Sequence, residues 1–362
     1  MQGRRGDQVA GRAPVGLDIG TSCVRGVEAS IARGSVRIDR FGQVALPVGA
    51  VRDGEVADVD LVAAALRRLW SEVGFKSRKV ALGVSNQRVV VRQVDLPWME
   101  LAELRKSLGY QVADFLPMPV EQAILDFYPV EEYLNEAGAR TLRVLIVAGA
   151  REMITNAVEA VRRAGLKPAS VDLTPFALIR AVVGQEQLGM ASDAEAIVDV
   201  GARVTNIAVH QGGVPKFVRI LLIGGADITD SIAERLGVPV DEAERLKYSF
   251  GVPLNAVERD AHPASRAIEN ATASFVDEIR GSLDYYLASP GAVPIRRVVL
   301  TGGGSRLRNL AQRLAFATRL PVDTVNPFAT IRLGRTGLSQ EQLAYIQPLV
   351  PVPMGLAVGG LS

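Results

Sequence analysis

One short pattern occurs twice in this chain and constrains its fold more than any other feature. The first copy, Gly16-Leu17-Asp18-Ile19-Gly20-Thr21-Ser22, runs on into Val24-Arg25-Gly26-Val27-Glu28. The second, Ile197-Val198-Asp199-Val200-Gly201-Ala202-Arg203, runs on into Val204-Thr205-Asn206-Ile207-Ala208-Val209. Each reads as strand, Asp-x-Gly turn, strand, with the aspartate at the tip of an apolar run. The glycine lets the chain turn sharply and brings backbone N–H groups close to a ligand. Successive N–H groups in such a turn cradle an anion, and the hydroxyls of Thr21, Ser22 and Thr205 can add donors. A carboxylate beside bound phosphates suits Mg²⁺, held directly or through water. One Asp-Gly turn is ordinary in hairpins. Two copies predict two related halves facing one another across a nucleotide.

A third signal follows. The apolar run Val298-Val299-Leu300-Thr301 leads into Gly302-Gly303-Gly304-Ser305 and then a helical pattern over 305–319. A strand that delivers glycines to a helix N-terminus permits close approach of phosphate or a polar ring edge. The same turn read alone is a tight loop with Ser305 as N-cap; after two Asp-Gly cradles the nucleotide reading is the stronger.

The rest of the chain alternates strands and helices, which gives an α/β fold with mixed sheets. Strand patterns at 15–19, 24–30 and 35–44, turning at Gly34, precede a helix at 58–73 with Val62, Leu66, Leu69 and Val73 in phase. Residues 45–125 read as a small α/β insertion in a first half spanning 14–190. The polar segment 184–195 marks the boundary to a second half, 191–362, with a smaller unit at about 223–296. Residues 1–13 read as a disordered tail without the apolar segment of a signal peptide. Residues 342–362 carry no charge, but Pro348, Pro351 and Pro353 make them a buried terminal element rather than a membrane span. A net charge of +2 is too balanced to argue for nucleic acid or an anionic membrane. One cysteine, Cys23, and two histidines, His210 and His262, exclude a disulfide framework and a structural zinc site.

The order of the three motifs resembles the actin-like ATPase superfamily, and more narrowly the PilM family of type IV pilus assembly, beside the related FtsA family. Matching segments are 15–28, 46–55, 94–97, 110–126 with Phe115-Leu116-Pro117, 196–205, 219–229 with Gly224-Gly225, and 298–305. The resemblance implies ATP and Mg²⁺ as ligands. It places Asp18 near Mg²⁺ and phosphates, with Gly20, Thr21 and Ser22 in the first cradle. Asp199 would position Mg²⁺ or the attacking water, and Gly201, Ala202, Arg203 and Thr205 would form the second cradle. Gly302, Gly303, Gly304 and Ser305 would meet the adenosine. Glu244 and Lys247 match a position that touches ribose or adenine, and read equally as an exposed i,i+3 ion pair. Arg203 reads equally as a phosphate partner or a surface residue.

Hydrolytic members carry an acid or amide on the helix linking the halves. The matching segment, Asp172-Leu173-Thr174-Pro175-Phe176-Ala177, has neither near Thr174 and Pro175, and Asp172 is displaced. Phosphoryl transfer depends on such positioning groups, so turnover is expected to be slow and the nucleotide a conformational ligand. The resemblance further implies a cytoplasmic protein that reaches the membrane indirectly. Its expected partner is the N-terminal peptide of a PilN-type single-span protein, bound in a groove between core and insertion near 115–120, with Met118 a contact. Pilus motor ATPases are further implied partners. The alternatives are an FtsA-like cell-division role and a small-molecule kinase of the same superfamily.

Overall fold

The computed structural model describes residues 13–32, 35–183, 193–329, 331–334, 336 and 338–360. The expected tail, the Gly34 turn and most of the boundary segment 184–195 lie outside these. Two mixed sheets share one plan. The first runs, edge to edge, Lys167–Leu173, Lys79–Val84, Val15–Ile19, Cys23–Ala32, Ser35–Ala45 and the short Arg332–Leu333. The second runs Val322–Thr324, Ile295–Thr301, Ala194–Val200, Thr205–Gln211 and Val214–Leu221. In each, an antiparallel meander is extended on one side by parallel strands. The duplication reaches single hydrogen bonds. Gly20 N–H donates to the Cys23 carbonyl at 3.0 Å, and Gly201 N–H to the Val204 carbonyl at 2.9 Å.

Two helices fill the space between the sheets. Thr174–Val182 leads out of the first sheet, and Pro351–Gly359 returns from the chain's end. Their Leu178, Ile179 and Leu356 form one buried cluster with Ala81 of the first sheet and Ile197, Ala208 and Val299 of the second. The packing is close enough to require glycine. A Cβ on Gly355 would lie 1.8 Å from the Ala177 carbonyl oxygen, and one on Gly16 1.8 Å from that of Pro353. The apolar C-terminus is thus a buried helix, as expected. It packs on the first sheet, however, and Arg332–Leu333 pairs with Ser35–Ala45 of that sheet. The stretch 191–362 is therefore not wholly a second half, because the chain crosses back.

The unit expected at 45–125 is also drawn differently. Helix Val59–Val73, capped by Asp58 accepting from Asp60 and Leu61 N–H and closed by left-handed Gly74, buries Val62, Leu66 and Leu69 in the core of the first sheet. Strand Lys79–Val84 sits inside that sheet. The separate element is a three-stranded antiparallel sheet, Val89–Pro97, Arg140–Ala150 and Ala123–Leu134. Helix Leu101–Val112 covers one face through Leu104, Leu108 and Val112. In the second half, helices Gly225–Leu236, Val240–Phe250 and Pro263–Leu287 share one core with the second sheet through Ile228, Ala243 and Phe275.

Candidate functional site

The two duplicated hairpin tips meet at one cleft. Asp18, Gly20, Thr21 and Ser22 line one wall, and Asp199, Gly201, Ala202 and Asn206 the other. Hairpin register decides what faces each carboxylate. Asp18 pairs with Arg25 across its turn, and Asp199 with Asn206 across the other. Arg25 donates to Asp18 at 3.0 Å, while its buried Nε has no hydrogen-bond partner among the described residues. The Asn206 amide donates to Asp199 at 3.3 Å and in turn accepts from the Ser85 hydroxyl. An amide neutralises less than a guanidinium. Burial lifts the Asp199 carboxyl to about 7 and the Asp18 charge adds to this, against the opposing pull of Asn206 and Arg25. Burial pushes the Cys23 thiol up, so the cleft does not activate it.

Behind the second tip, backbones converge at glycines. A Cβ on Gly225 would sit 3.6 Å from the Gly201 oxygen, 3.7 Å from Gly304 Cα and 3.9 Å from Lys247 Nζ. Gly302, at φ +85°, would place a Cβ 2.8 Å from an Asp199 carboxylate oxygen. Gly303 is different: its Cβ would meet only Leu349, at 3.6 Å. Lys247 is buried and donates to the Gly225 carbonyl at 2.8 Å and the Thr229 hydroxyl at 2.7 Å, beside Glu244 at 2.6 Å. The pair is therefore fixed to the glycine junction rather than lying on a solvated face.

Several expected positions fall elsewhere. Arg203 is held by Asp227 at 2.7 Å and Asp230 at 2.6 Å, and is not among the residues lining the cleft. Thr205 is fully buried, its hydroxyl donating to the Ile223 carbonyl at 2.7 Å. Ser305 donates to the Gly302 carbonyl at 2.7 Å, inside a 3₁₀ turn over Gly303–Arg306. The helix expected from 305 begins only at Leu310, after left-handed Asn309, so the glycines do not open it directly. Asp172 is paired with Arg180 outside the cleft. Arg25, Asn206 and Ser85 also line the cleft and carry no role in the sequence reading, and Thr174 lines it from the linking helix. Arg25 and Asn206 share one offset from their aspartates, a signal that hairpin register would have supplied.

A second cavity, an apolar groove, lies between two sheet edges. Val171, Asp172 and Leu173 of the first sheet face Ile124, Leu125 and Tyr128 of the small sheet. Val84, Ile154, Phe176 and Arg180 also line it. Met118 is not in its lining; it packs on a neighbouring cluster around Val84 and Met153. The groove thus lies at the junction of core and small sheet, but not at 115–120.

A family model described as type IV pilus assembly protein PilM matches residues 16–360. A solved structure titled "PilM-PilN type IV pilus biogenesis complex" superposes with a TM-score of 0.84 at 27% identity, covering 97% of this chain and 100% of that one. MreB 5 of Spiroplasma citri, solved with AMPPNP, shares the fold at a TM-score of 0.55 and 14% identity, over 96% of this chain and 95% of that one. Cell division protein FtsA of Bacillus subtilis (strain 168) is 25% identical over 260 residues, 66% of this chain and 58% of that protein. FtsA of Neisseria meningitidis serogroup B (strain ATCC BAA-335 / MC58) is 25% identical over 352 residues, 86% of this chain and 83% of that protein. The chain therefore spans little more than half of the first relative's length. The expected actin-like fold of two related halves is the fold observed.

Proposed function

The chain belongs to the type IV pilus assembly protein PilM family, and from that premise we propose that it is a nucleotide-binding component of pilus assembly that captures a peptide of a PilN-type membrane partner. The observation that carries the nucleotide reading is the convergence of both Asp-x-Gly tips on one cleft, with the Gly302–Gly304 turn packed directly behind Asp199 and Val200. The backbone N–H groups and hydroxyls of Thr21 and Ser22 cradle phosphate oxygens from one side and the Ala202 N–H from the other, while Gly20 and Gly201, whose N–H groups close their own turns, leave room for the oxygens by lacking a side chain. Arg25, whose buried Nε has no acceptor among the described residues, offers a guanidinium to the same oxygens.

Mg²⁺ fits this donor set. Two carboxylates plus phosphate oxygens and water are its usual ligands, and a cation would draw the proton from Asp199. Asp18 and Asp199 would hold it, and its charge would neutralise phosphate. Lys247, Glu244 and the glycine junction receive the adenosine side.

Turnover is slow on this reading. Asp18 and Asp199 are the carboxylates of the cleft lining among the described residues, and the linking helix contributes Thr174. Asp172, the other candidate, is spent on Arg180. The nucleotide then acts by holding the halves together.

The apolar groove takes the partner peptide. It offers two strand edges and a row of apolar side chains, the features by which extended peptides are bound. Among the described residues no helix is long and apolar enough to cross a membrane, so on this reading the partner places the protein at the inner membrane face. A fluorescence-anisotropy titration with the N-terminal peptide of the PilN-type protein encoded in the same genome tests it. Saturable binding is expected; its absence, with or without nucleotide, overturns the pilus assignment of the groove.

A further inference from the structure

A third cavity, of about 800 Å³, lies between the small sheet and the second sheet and is used by nothing described so far. Two bare strand edges bound it. Val89–Pro97 is an outer strand of the small sheet, and Val214–Leu221 an outer strand of the second sheet. Three consecutive residues of each strand, 91–93 and 216–218, line the cavity. Consecutive strand residues point to opposite faces, so the cavity reaches along both edges. Val91 and Val218 belong to one apolar cluster and, with buried Leu145, give the cavity an apolar side. An aromatic wall stands beside them. Phe217 lies against Tyr285 and Tyr286, with ring centroids 6.0 and 5.8 Å away. Tyr286 is buried, and its hydroxyl accepts from Val293 N–H at 3.0 Å, which fixes the wall; Tyr285 is 63% exposed.

The charges of this cavity do not balance. Arg143 is held by Asp95 at 2.7 Å and by Glu131 at 2.5 Å. Arg92 and Lys216, one from each edge, have no acidic partner among the described residues. Cations on an edge strand keep identical edges from pairing, but they attract a strand of the opposite charge. An extended acidic segment would find backbone partners at the edges, apolar surface for alternate side chains and cations for the others. We propose that this cavity binds such a segment of a partner protein, added as a strand at these edges. Its apolar side chains lie against Val91, Val218 and Tyr285, and its carboxylates reach Arg92 and Lys216. The cavity shares no lining residue with the groove at Val171–Leu173, so the two are separate binding surfaces.

Fluorescence anisotropy with a labelled decapeptide alternating glutamate and valine, and with its lysine–valine counterpart, tests the assignment. The wild type should bind the glutamate peptide saturably and the lysine peptide at least about tenfold more weakly. Arg92→Glu and Lys216→Glu should each weaken the glutamate peptide several-fold, and the double variant should reverse the preference. Arg92 is exposed and Lys216 half-buried, so neither reversal enters a core, and unchanged melting temperatures confirm it. No saturable binding by the wild type, or a preference that the double variant leaves unchanged, overturns the proposal. Displacement of the glutamate peptide by the PilN-type peptide would put it in the other groove and overturn it as well. Self-association of the wild type, seen in sedimentation and lost in Lys216→Glu, would give the cavity to a second copy of the chain and overturn the acidic partner.

Discussion

Asp199 faces Asn206 at the place where Asp18, in the other copy of the same hairpin, faces Arg25. The duplication preserved the turn and the carboxylate but not the partner. One aspartate is held by a charge, the other by an amide at 3.3 Å in a buried site. The second therefore carries its proton up to a pH of about 7.

That pairing gives the free protein a pH dependence. An acid whose folded pKa lies above its unfolded value leaves the folded chain holding more protons between about pH 4 and pH 7. Stability then falls as pH rises through that window, and the full cost of the buried charge stands above it. Asp199→Asn removes that cost. It should raise the melting temperature by a few degrees at about pH 8 and by much less at about pH 5. An equal effect at both, followed by calorimetry, would show that Asp199 does not titrate in the folded state as described.

The same proton opposes Mg²⁺. Mg-nucleotide affinity should increase as pH rises from about 6 to about 8, because the metal requires the carboxylate. Affinity for nucleotide without the metal should change less or in the opposite sense. Titrations in EDTA and in excess Mg²⁺ separate the two.

Hydrolysis should run well below about 1 s⁻¹, measured as phosphate release from purified protein. Turnover of many per second that vanishes in Asp199→Ala would mean that another group orients the water.

In the groove, Ile124 is 38% exposed, so a charge there does not enter a core. Ile124→Glu should weaken peptide binding by roughly tenfold or more, from loss of an apolar anchor, and leave Mg-ATP binding unchanged. Met118→Glu, outside the groove lining, should act mainly on stability. Peptide anisotropy and melting curves on both variants distinguish the two sites.

Gly355→Ala places a methyl against the Ala177 backbone, where no flexible side chain can yield. A destabilisation of about 1–3 kcal/mol is expected, read from denaturant unfolding. An unperturbed variant would mean that the two inter-sheet helices separate easily.

Local chemistry was legible in the sequence and long-range pairing was not. The Asp-x-Gly tips, the helix over Val62–Leu69 and the buried proline-rich terminus follow from residue type and spacing alone. Strands Lys79–Val84 and Val89–Pro97 are near neighbours in sequence that join different sheets, a pairing that local pattern does not report, and so residues 45–125 read as one unit. The return of Arg332–Leu333 to the first sheet is hidden for the same reason. Arg203 read equally as a phosphate partner or a surface residue, because its two acidic partners come from a helix that only tertiary packing brings near. Leu310 and Leu314 kept their helical phase, yet left-handed Asn309 delayed the helix start, and nothing in the spacing reports a positive φ.

Closure of the two halves on Mg-nucleotide is read by a thermal-shift titration. At about a hundred times its Kd a ligand of the native state adds roughly 2.7 kcal/mol, a shift of several degrees in a chain of this size. A Cβ on Gly303 meets only Leu349, at an ordinary 3.6 Å. Gly303→Asp should therefore fold yet set a carboxylate against the ligand. The wild type should show a clear rise at millimolar Mg-ATP and Gly303→Asp none. No rise in the wild type, or an equal rise in both, would contradict it.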